Sequence, residues 1–285
     1  MAKRPGWYRL IEMEEEPPLD LALAWMAVEE GSARTVDAML GDLDEIAAAV
    51  GLPLVDRPAD DGVEVAAVPM NVAVARLHHT LFERFGFRGD DDDYDRPENS
   101  LLDQVLTRRR GLPILLSAVY LEVARRVGIR ADGVGFPGHF LVSPRTEPRI
   151  WVDPFRQGRV LPRASLESRV AELDRSPPSR ARMQAALAPV GSRYILARVE
   201  NNLKGARLRR ADVAGALRAT DRLLALAPEL IEELRDRGLM RAHLGDLEPA
   251  IADLELYLQR WAGAPDRARI EARIEQLRRA SLSSD

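Results

Sequence analysis

The sequence GFPGHFLVSPRTEPRIWVD, residues 135–153, contains two short apolar segments separated by a polar loop that begins and ends with proline. The segments 140–142 and 150–152 consist mainly of aromatic and β-branched residues, which favour strands. The loop between them, residues 144–148, has a suitable length for a hairpin connection. This stretch is therefore predicted to form two antiparallel strands.

The hairpin register has a chemical consequence. If Ser143 pairs with Arg149 across the loop, the antiparallel register places His139 opposite Asp153. Directly opposed residues have Cβ atoms about 4.5–5.5 Å apart, so the imidazole could donate its Nδ1–H to the carboxylate. Such a pair orients the base of a nucleophilic triad, which makes both residues candidate catalytic residues. A structural His–Asp contact at the end of a sheet fits the spacing equally well, and a slip of one residue would separate the partners.

Composition narrows the classes of function. The chain has 285 residues, of which 46% are hydrophobic, and a net charge of −4, so a nucleic-acid partner is not expected. It contains no Cys, which excludes disulfides, thiolate metal sites and a cysteine nucleophile. The segment MAKRPGWYRL lacks an apolar core and no run of 18 apolar residues occurs, so a cytoplasmic protein without a membrane partner is expected.

The residues before the hairpin are predicted to be mainly helical. Apolar periodicity predicts helices over residues 18–30, 36–51 and 69–85, with a Pro- and Asp-rich surface loop over 52–66. In the third helix, His78 and His79 are interpreted as a surface feature. The next helix ends in three arginines.

Two charged segments flank that helix. Four aspartates at positions 90–93 lack the Asp-x-Asp-x-Asp-Gly spacing of a calcium loop, so a solvated loop is predicted rather than a metal site. The arginines at 108–110 suit a helix C-terminus, where the helix dipole favours cations. An anionic ligand for these arginines is the alternative.

A buried helix is predicted to follow directly. Gly111-Leu112-Pro113 opens it, and proline is well suited to the first turn of a helix. Residues 114–127 are apolar nearly all round, as in a helix at the centre of a domain. Helices followed by an antiparallel hairpin indicate an α+β domain.

The C-terminal part carries a repeat. Residues 176–179, SPPS, form the best candidate boundary, giving domains over 1–175 and 190–285. Ala216 and Ala250 lie one 34-residue period apart, as in tetratricopeptide repeats, which predicts units 197–230 and 231–264 and a closing helix over 267–281. Glu200 stands where Trp is usual. Such an array offers either a concave peptide-binding surface or a structural brace, and its shortness favours the brace.

Three motifs together resemble a known family. The run NSLLDQVLTRRRGLPILLSAVYLEVARRVGI, then GVGFPGHFLV and WVDPFRQGRVL, is similar to the bacterial SirB family. That family joins a transglutaminase-like core to C-terminal tetratricopeptide repeats. The resemblance implies a transglutaminase-like (papain-like) α+β domain of helices and antiparallel sheet, followed by an all-α tetratricopeptide-like domain.

The resemblance also implies the layout of a site. Transglutaminase-like enzymes carry a Cys at the start of the central helix, and a His and an Asp on adjacent strands. His139 and Asp153 match the last two, whereas Pro113 stands at the nucleophile position and has no side-chain heteroatom. Thiol chemistry is therefore not expected, and neither a cofactor nor a metal is implied. The candidate binding residues are Asn99, Arg110, Gly111, Ser117, Gly135 and Phe140.

Ser117 is the alternative nucleophile. It lies one turn beyond Pro113 on roughly the same face, about 6 Å along the helix axis. A serine in a buried helix more often bonds to the carbonyl four residues back, which argues against a catalytic role.

Two functions remain open at this point. The first is a non-catalytic binding or regulatory module with a protein or peptide partner. The second is a hydrolase or acyl transferase in which His139, oriented by Asp153, acts as a general base without a thiol. Because Pro113 removes a backbone donor where an oxyanion hole would form, the first function is favoured.

Overall fold

The computed structural model describes residues 6–54 and 68–282, so most of the loop predicted over 52–66 lies outside the described residues. The chain divides into two compact units, residues 1–195 and 196–285. This division falls inside one continuous helix, Ser192–Arg209. The sequence-based domain limits of 1–175 and 190–285 therefore stay a prediction.

The first unit combines helices with short strands. Its helices are α1 Gly6–Met13, α2 Leu19–Glu29, α3 Val36–Ala48, α4 Met70–His78, α5 Leu102–Arg108, α6 Pro113–Arg126, α7 Arg163–Asp174 and α8 Arg180–Ala186. Its strands are β1 Arg88–Gly89, β2 Arg110–Gly111, β3 Ala131–Val134, β4 Leu141–Pro144, β5 Trp151–Asp153, β6 Arg159–Leu161 and β7 Pro189–Val190. A π-helical turn, His79–Arg84, extends α4, and 3-10 turns cover Pro97–Ser100 and Pro154–Arg156.

An antiparallel sheet forms one side of this unit. The strand order is β6-β5-β4-β3-β7, with antiparallel pairing throughout. The hairpin predicted from residues 135–153 is β4–β5, so its existence is confirmed, but its register is wrong by two residues. Val142 pairs with Val152, which leaves His139 in a bend before β4 rather than in the ladder. Because side chains alternate with a period of two, such a shift keeps every side chain on its expected face.

Helix α6 is the buried centre of the unit, as predicted. Pro113 occupies its first turn, where the missing N–H costs no helical hydrogen bond. The helix packs against α2, α3, β3, β4 and the 3-10 turn Pro154–Arg156. Its first turn thus lies beside the end of β5, and this placement builds the site described below.

The acidic loop forms ion pairs with Arg108 and Arg110, which corrects the prediction of a loop that is only solvated, while Arg108 lies in the last turn of α5 as predicted. The parallel pair β1–β2 aligns Arg88 with Arg110 and brings the two segments together. Arg108 donates to the buried Asp90, and Arg110 donates to Asp92. Burial alone would raise the pKa of Asp90, but hydrogen bonds from Arg108 and the Asp93 backbone outweigh it and lower the pKa. The loop is therefore anchored, not simply solvated.

The second unit is all helical. Beyond the end of α9 Ser192–Arg209, it contains α10 Val213–Leu226, α11 Ile231–Leu244, α12 Leu247–Arg260 and α13 Arg267–Leu282. The small residues of the predicted repeat lie at helix crossings. Ala216 and Ala250 are fully buried, and a Cβ on Gly238 would lie 2.8 Å from Leu254 Cγ. The predicted helical array and its closing helix are confirmed.

The departure from the repeat pattern at Glu200 has a structural explanation. Glu200 is fully buried and accepts from Arg222, whose Nε lies 2.6 Å from Glu200 Oε1. The partner guanidinium is almost equally buried. A buried ion pair thus occupies the place where the repeat usually has an aromatic core residue.

Candidate functional site

A cavity of about 690 Å³ opens at the first turn of α6. Pro113, His139 and Asp153 all line it, so the structure brings the three predicted catalytic positions together. They come from three different elements: the start of α6, the bend before β4 and the last residue of β5. The volume lies within the range of small-molecule sites, about 300–1,000 Å³. We call this feature the His139 cavity.

The imidazole of His139 and the carboxylate of Asp153 are in contact. His139 Nε2 lies 2.9 Å from Asp153 Oδ2, and the two side chains are 17% and 8% exposed. The prediction that Nδ1 faces the acid was wrong, because the bend before β4 presents the other ring nitrogen. The two atoms are within ion-pair distance, but Asp153 Oδ2 does not lie along the N–H direction of Nε2. The contact is therefore not an aligned hydrogen bond. Nδ1 is left as the ring nitrogen that could act on another group.

Local backbone bonds hold both partners. The amide of His139 donates to the carbonyl of Phe136 at 2.9 Å, which fixes the bend. Asp153 Oδ1 accepts from the amide of Arg156 at 3.2 Å and so caps the 3-10 turn that follows β5. The carboxylate is therefore oriented by its own turn as well as by the imidazole.

Aromatic rings cover one side of the pair. Phe155 meets His139 edge to face, with ring centroids 6.3 Å apart, and Tyr94 meets Phe155 at 5.9 Å. Arg156 lies over the Phe155 ring and pairs with Asp91 at 2.8 Å. Sequence reasoning missed these four cavity residues. The position of Phe155 directly after Asp153-Pro154 was the one usable signal.

The remaining lining of the cavity includes buried apolar residues and exposed charged residues. Phe136, Leu141 and Leu166 are buried residues of its lining. Arg159 on β6 and Arg169 on α7 are exposed lining residues. Neither arginine was predicted, because helix α7 reaches the cavity only through tertiary packing.

The predicted binding residues near the charged loop have structural contacts away from the cavity. Asn99 is fully buried, and its Nδ2 donates to the carbonyls of Asp93 and Tyr94. Arg110 pairs with the acidic loop as described above. A Cβ on Gly111 would lie 2.7 Å from Val105 Cγ2, so this glycine permits close packing against α5.

The other three predicted binding residues also lie off the cavity lining. Ser117 is fully buried, and its Oγ has no hydrogen-bond partner within the described ranges, so the expected bond to the carbonyl four residues back is not made. A Cβ on Gly135 would lie 2.9 Å from the Tyr194 ring. Phe140 is a buried core residue.

A second histidine is half-buried rather than a surface residue, which corrects the interpretation of His78. Its Nε2 lies 3.0 Å from the hydroxyl oxygen of Tyr120 on α6. Burial lowers the pKa of His78 to about 4. Its neighbour His79 is exposed and contacts Glu83, as a surface histidine would.

Two further features concern ions and membranes. Within residues 6–54 and 68–282, no group of three or more His, Asp or Glu side chains is arranged to hold a metal ion. None of the helices in these ranges has the length and hydropathy needed to span a membrane.

Comparison with family profiles gives two matches. The profile of the Transglutaminase-like superfamily matches residues 37–201, more than half of the chain. A tetratricopeptide repeat profile matches residues 203–275. Together they confirm the architecture expected from the resemblance, a transglutaminase-like domain followed by tetratricopeptide repeats.

Curated relatives carry similar sequences. A UPF0162 protein of Xylella fastidiosa (strain Temecula1) is 40% identical over 69% of this chain and 70% of its own length. Human F-box only protein 21 is 39% identical over 23% of this chain and 10% of its own. Among solved structures, menin aligns with 88% of this chain and 68% of its own at 11% identity and a TM-score of 0.40, which carries no argument about function.

Proposed function

The chain belongs to the transglutaminase-like superfamily, and we propose that it acts there as a non-catalytic protein-binding module. The combination of a transglutaminase-like domain with tetratricopeptide repeats supports a protein-interaction role. In the finer form of the proposal, Pro113 occupies the nucleophile position and the His139 cavity receives a segment of a protein or peptide partner.

One observation supports the proposal most directly. Pro113 lines the same cavity as His139 and Asp153, at the first turn of the buried helix α6. A thiol at that position would be activated by the helix N-terminus and the imidazole. Proline supplies neither a nucleophile nor a backbone N–H for an oxyanion. A cavity with an orienting pair but no attacking atom is suited to binding.

Ser117 does not replace the missing thiol in this proposal. Its side chain is fully buried and lies outside the cavity lining. A substrate in the His139 cavity would therefore not reach its hydroxyl without a rearrangement of α6.

A hydrolase or acyl transferase is the second candidate, and one observation favours it. The His139 cavity is open, and the imidazole that lines it is partly exposed, so His139 could activate water or a substrate hydroxyl. The same cavity has lost one oxyanion donor at Pro113, which weakens this candidate.

A hydrolysis assay separates the two functions. The parent, His139→Ala and His79→Ala proteins are compared on p-nitrophenyl acetate and on a peptide amide. The proposal expects equal, background rates for all three, because His79 is an exposed histidine away from the cavity. A drop of about a hundredfold or more in His139→Ala alone, the scale of a general base, would establish the hydrolase instead.

Partner capture provides the positive arm. A photo-crosslinker is placed at Tyr94 in the parent and His139→Ala proteins, and both are incubated with a cell extract. Crosslinked peptides are then identified by mass spectrometry. The proposal expects the same peptides from both proteins. Loss of every crosslink in His139→Ala would contradict a binding role that is independent of catalysis.

A further inference from the structure

The charged residues that line the His139 cavity are unequally paired. Asp91 is paired with Arg156, and Asp153 contacts His139. Arg159 and Arg169 have no acidic partner within the described parts of the chain, although both line the cavity. Two arginines of the lining are thus left without an ion-pair partner.

Arg159 and Arg169 both lie on elements next to the His139–Asp153 pair. Arg159 is directly opposite Asp153 in the β5–β6 ladder, and opposed residues share one face of the sheet. Arg169 approaches from α7, and its Nη2 lies 3.7 Å from where a Cβ on Gly138 would be, over the turn before His139. The two arginines therefore come from different elements and line the same cavity.

The remaining lining defines what such cations could hold. Glu172 is the acid of the lining that has no basic partner within the described ranges, and with His139 neutral the three arginines and three acids of the lining sum to zero. Because the lining has no overall cationic excess, its two unpaired arginines suit one carboxylate better than a polyanion. The buried Phe136, Leu141 and Leu166 provide an apolar wall for a side chain next to the carboxylate. Arginine forks bind carboxylates with strong, charge-assisted hydrogen bonds.

We infer that the His139 cavity binds a peptide chain end, with the terminal carboxylate on Arg159 and Arg169 and an apolar last side chain on the wall. This inference rests on the proposed binding function and names the chemistry of the bound segment. It assigns the two arginines as ligand-binding residues, a role that the sequence motifs did not indicate.

Matched probes test the inference by NMR on the full chain. The chain contains four histidines, so the His139 imidazole can be followed at constant pH. N-acetylphenylalanine carries the carboxylate and the ring, whereas N-acetylphenylalaninamide keeps the ring without the charge. The acid should give a saturable His139 shift with affinity about tenfold or more above that of the amide, as expected for a charge-assisted hydrogen bond.

Variants locate the preference. In an Arg159→Gln/Arg169→Gln double variant, the affinities for acid and amide should differ less than about twofold. Arg180→Gln removes an exposed arginine that lies outside the cavity lining and should keep the preference of the parent. Equal affinities in the parent, no binding of either probe, or an unchanged preference in the double variant would overturn the inference.

Two additional measurements distinguish a failure of this inference from a failure of the proposed function. Tighter binding of N-acetylglutamic acid α-amide than of N-acetylphenylalanine would overturn the chain-end assignment, because its carboxylate is on a side chain. Conversion of the amide to N-acetylphenylalanine in the same sample, absent in His139→Ala, would contradict the non-catalytic function. Even in that case, the preference for the acid over the amide would still test whether Arg159 and Arg169 bind the carboxylate.

Discussion

The polar groups at the two ends of helix α6 differ in how they are paired. At the C-terminal end, Arg126 donates to Asp20 at 2.7 Å and to Glu122 at 3.0 Å, and all three side chains are about nine-tenths buried. At the N-terminal end, Pro113 and His139 face an open cavity. The C-terminal end also borders a cavity, of about 630 Å³, but its charges pair with one another, whereas the His139 imidazole at the other end makes no aligned hydrogen bond through Nε2.

The pKa directions at the C-terminal end follow from the burial and pairing of these charges. Burial opposes ionisation of Asp20, but Arg126 and Arg125 outweigh it and lower the pKa of that carboxyl. Burial and the nearby Asp20 raise the pKa of Glu122, and they outweigh the same two arginines, which lower it. These charges stabilise the packing of α6 against α2. We therefore expect the charges at the C-terminal end to contribute to stability, whereas the proposed ligand contact lies at the N-terminal end.

The largest expected effect comes from breaking the ion pairs at the C-terminal end of α6. Arg126→Met should lower the free energy of unfolding by about 3–5 kcal/mol, because it leaves buried carboxylates without their main partner. Urea denaturation followed by tryptophan fluorescence measures this change. Arg125→Met is the matched control, since its side chain is one-third exposed and its loss keeps Arg126 in place. A loss below about 1 kcal/mol in Arg126→Met would show that the ion pairs are not structural.

A pH effect comes from the middle of α6, where His78 contacts Tyr120. The folded pKa of His78 is about 4 and the ordinary value is about 6.5, so the unfolded chain binds the extra proton between these values. Stability is therefore full above about pH 6.5 and falls as pH drops towards 4, by up to about 3 kcal/mol.

Two neighbouring histidines provide the variant and its matched control for this pH effect. His78→Gln should flatten the pH dependence between 6.5 and 4 relative to His79→Gln, which changes an exposed histidine. Unfolding free energies at several pH values give the comparison. Equal slopes for the two variants would show that His78 titrates normally in the folded protein.

The smallest expected effect concerns the open end. His139→Ala should change the free energy of unfolding by about 1 kcal/mol or less, because its contact with Asp153 is partly exposed and poorly aligned. The same denaturation assay applies. A loss as large as that of Arg126→Met would make the His–Asp pair a structural element and remove the contrast between the two ends.

The sequence was sufficient for the main helices, for the hairpin and for selecting Pro113, His139 and Asp153, which line one cavity. A buried α6 followed from its nearly continuous apolar residues, and the β4–β5 hairpin followed from two apolar segments around a proline-bounded loop. The two-residue register shift at Val142 was beyond this reasoning, since it preserves the alternation of faces.

The remaining parts of the site depend on tertiary packing. Asp90 and Arg108 are distant in sequence, and only the pairing of β1 with β2 brings them together. Arg169 reaches the cavity because α7 packs near the bend at Gly138, which local periodicity does not encode. Arg159 lies opposite Asp153 through the pairing of β5 with β6, a strand pair for which the sequence analysis made no prediction.

The reactivity of a single thiol placed at Pro113 tests the central claim most directly. The chain has no Cys, so Pro113→Cys introduces the sole thiol, and its alkylation rate by iodoacetamide is measured against pH. If this position is that of a lost nucleophile, the thiol pKa should fall below about 7.5 and rise towards 8.5 when His139→Ala is added. Leu173→Cys, exposed on α7, should show the ordinary value. A thiol pKa at or above about 8.5 for Pro113→Cys, unaffected by His139→Ala, would contradict the account.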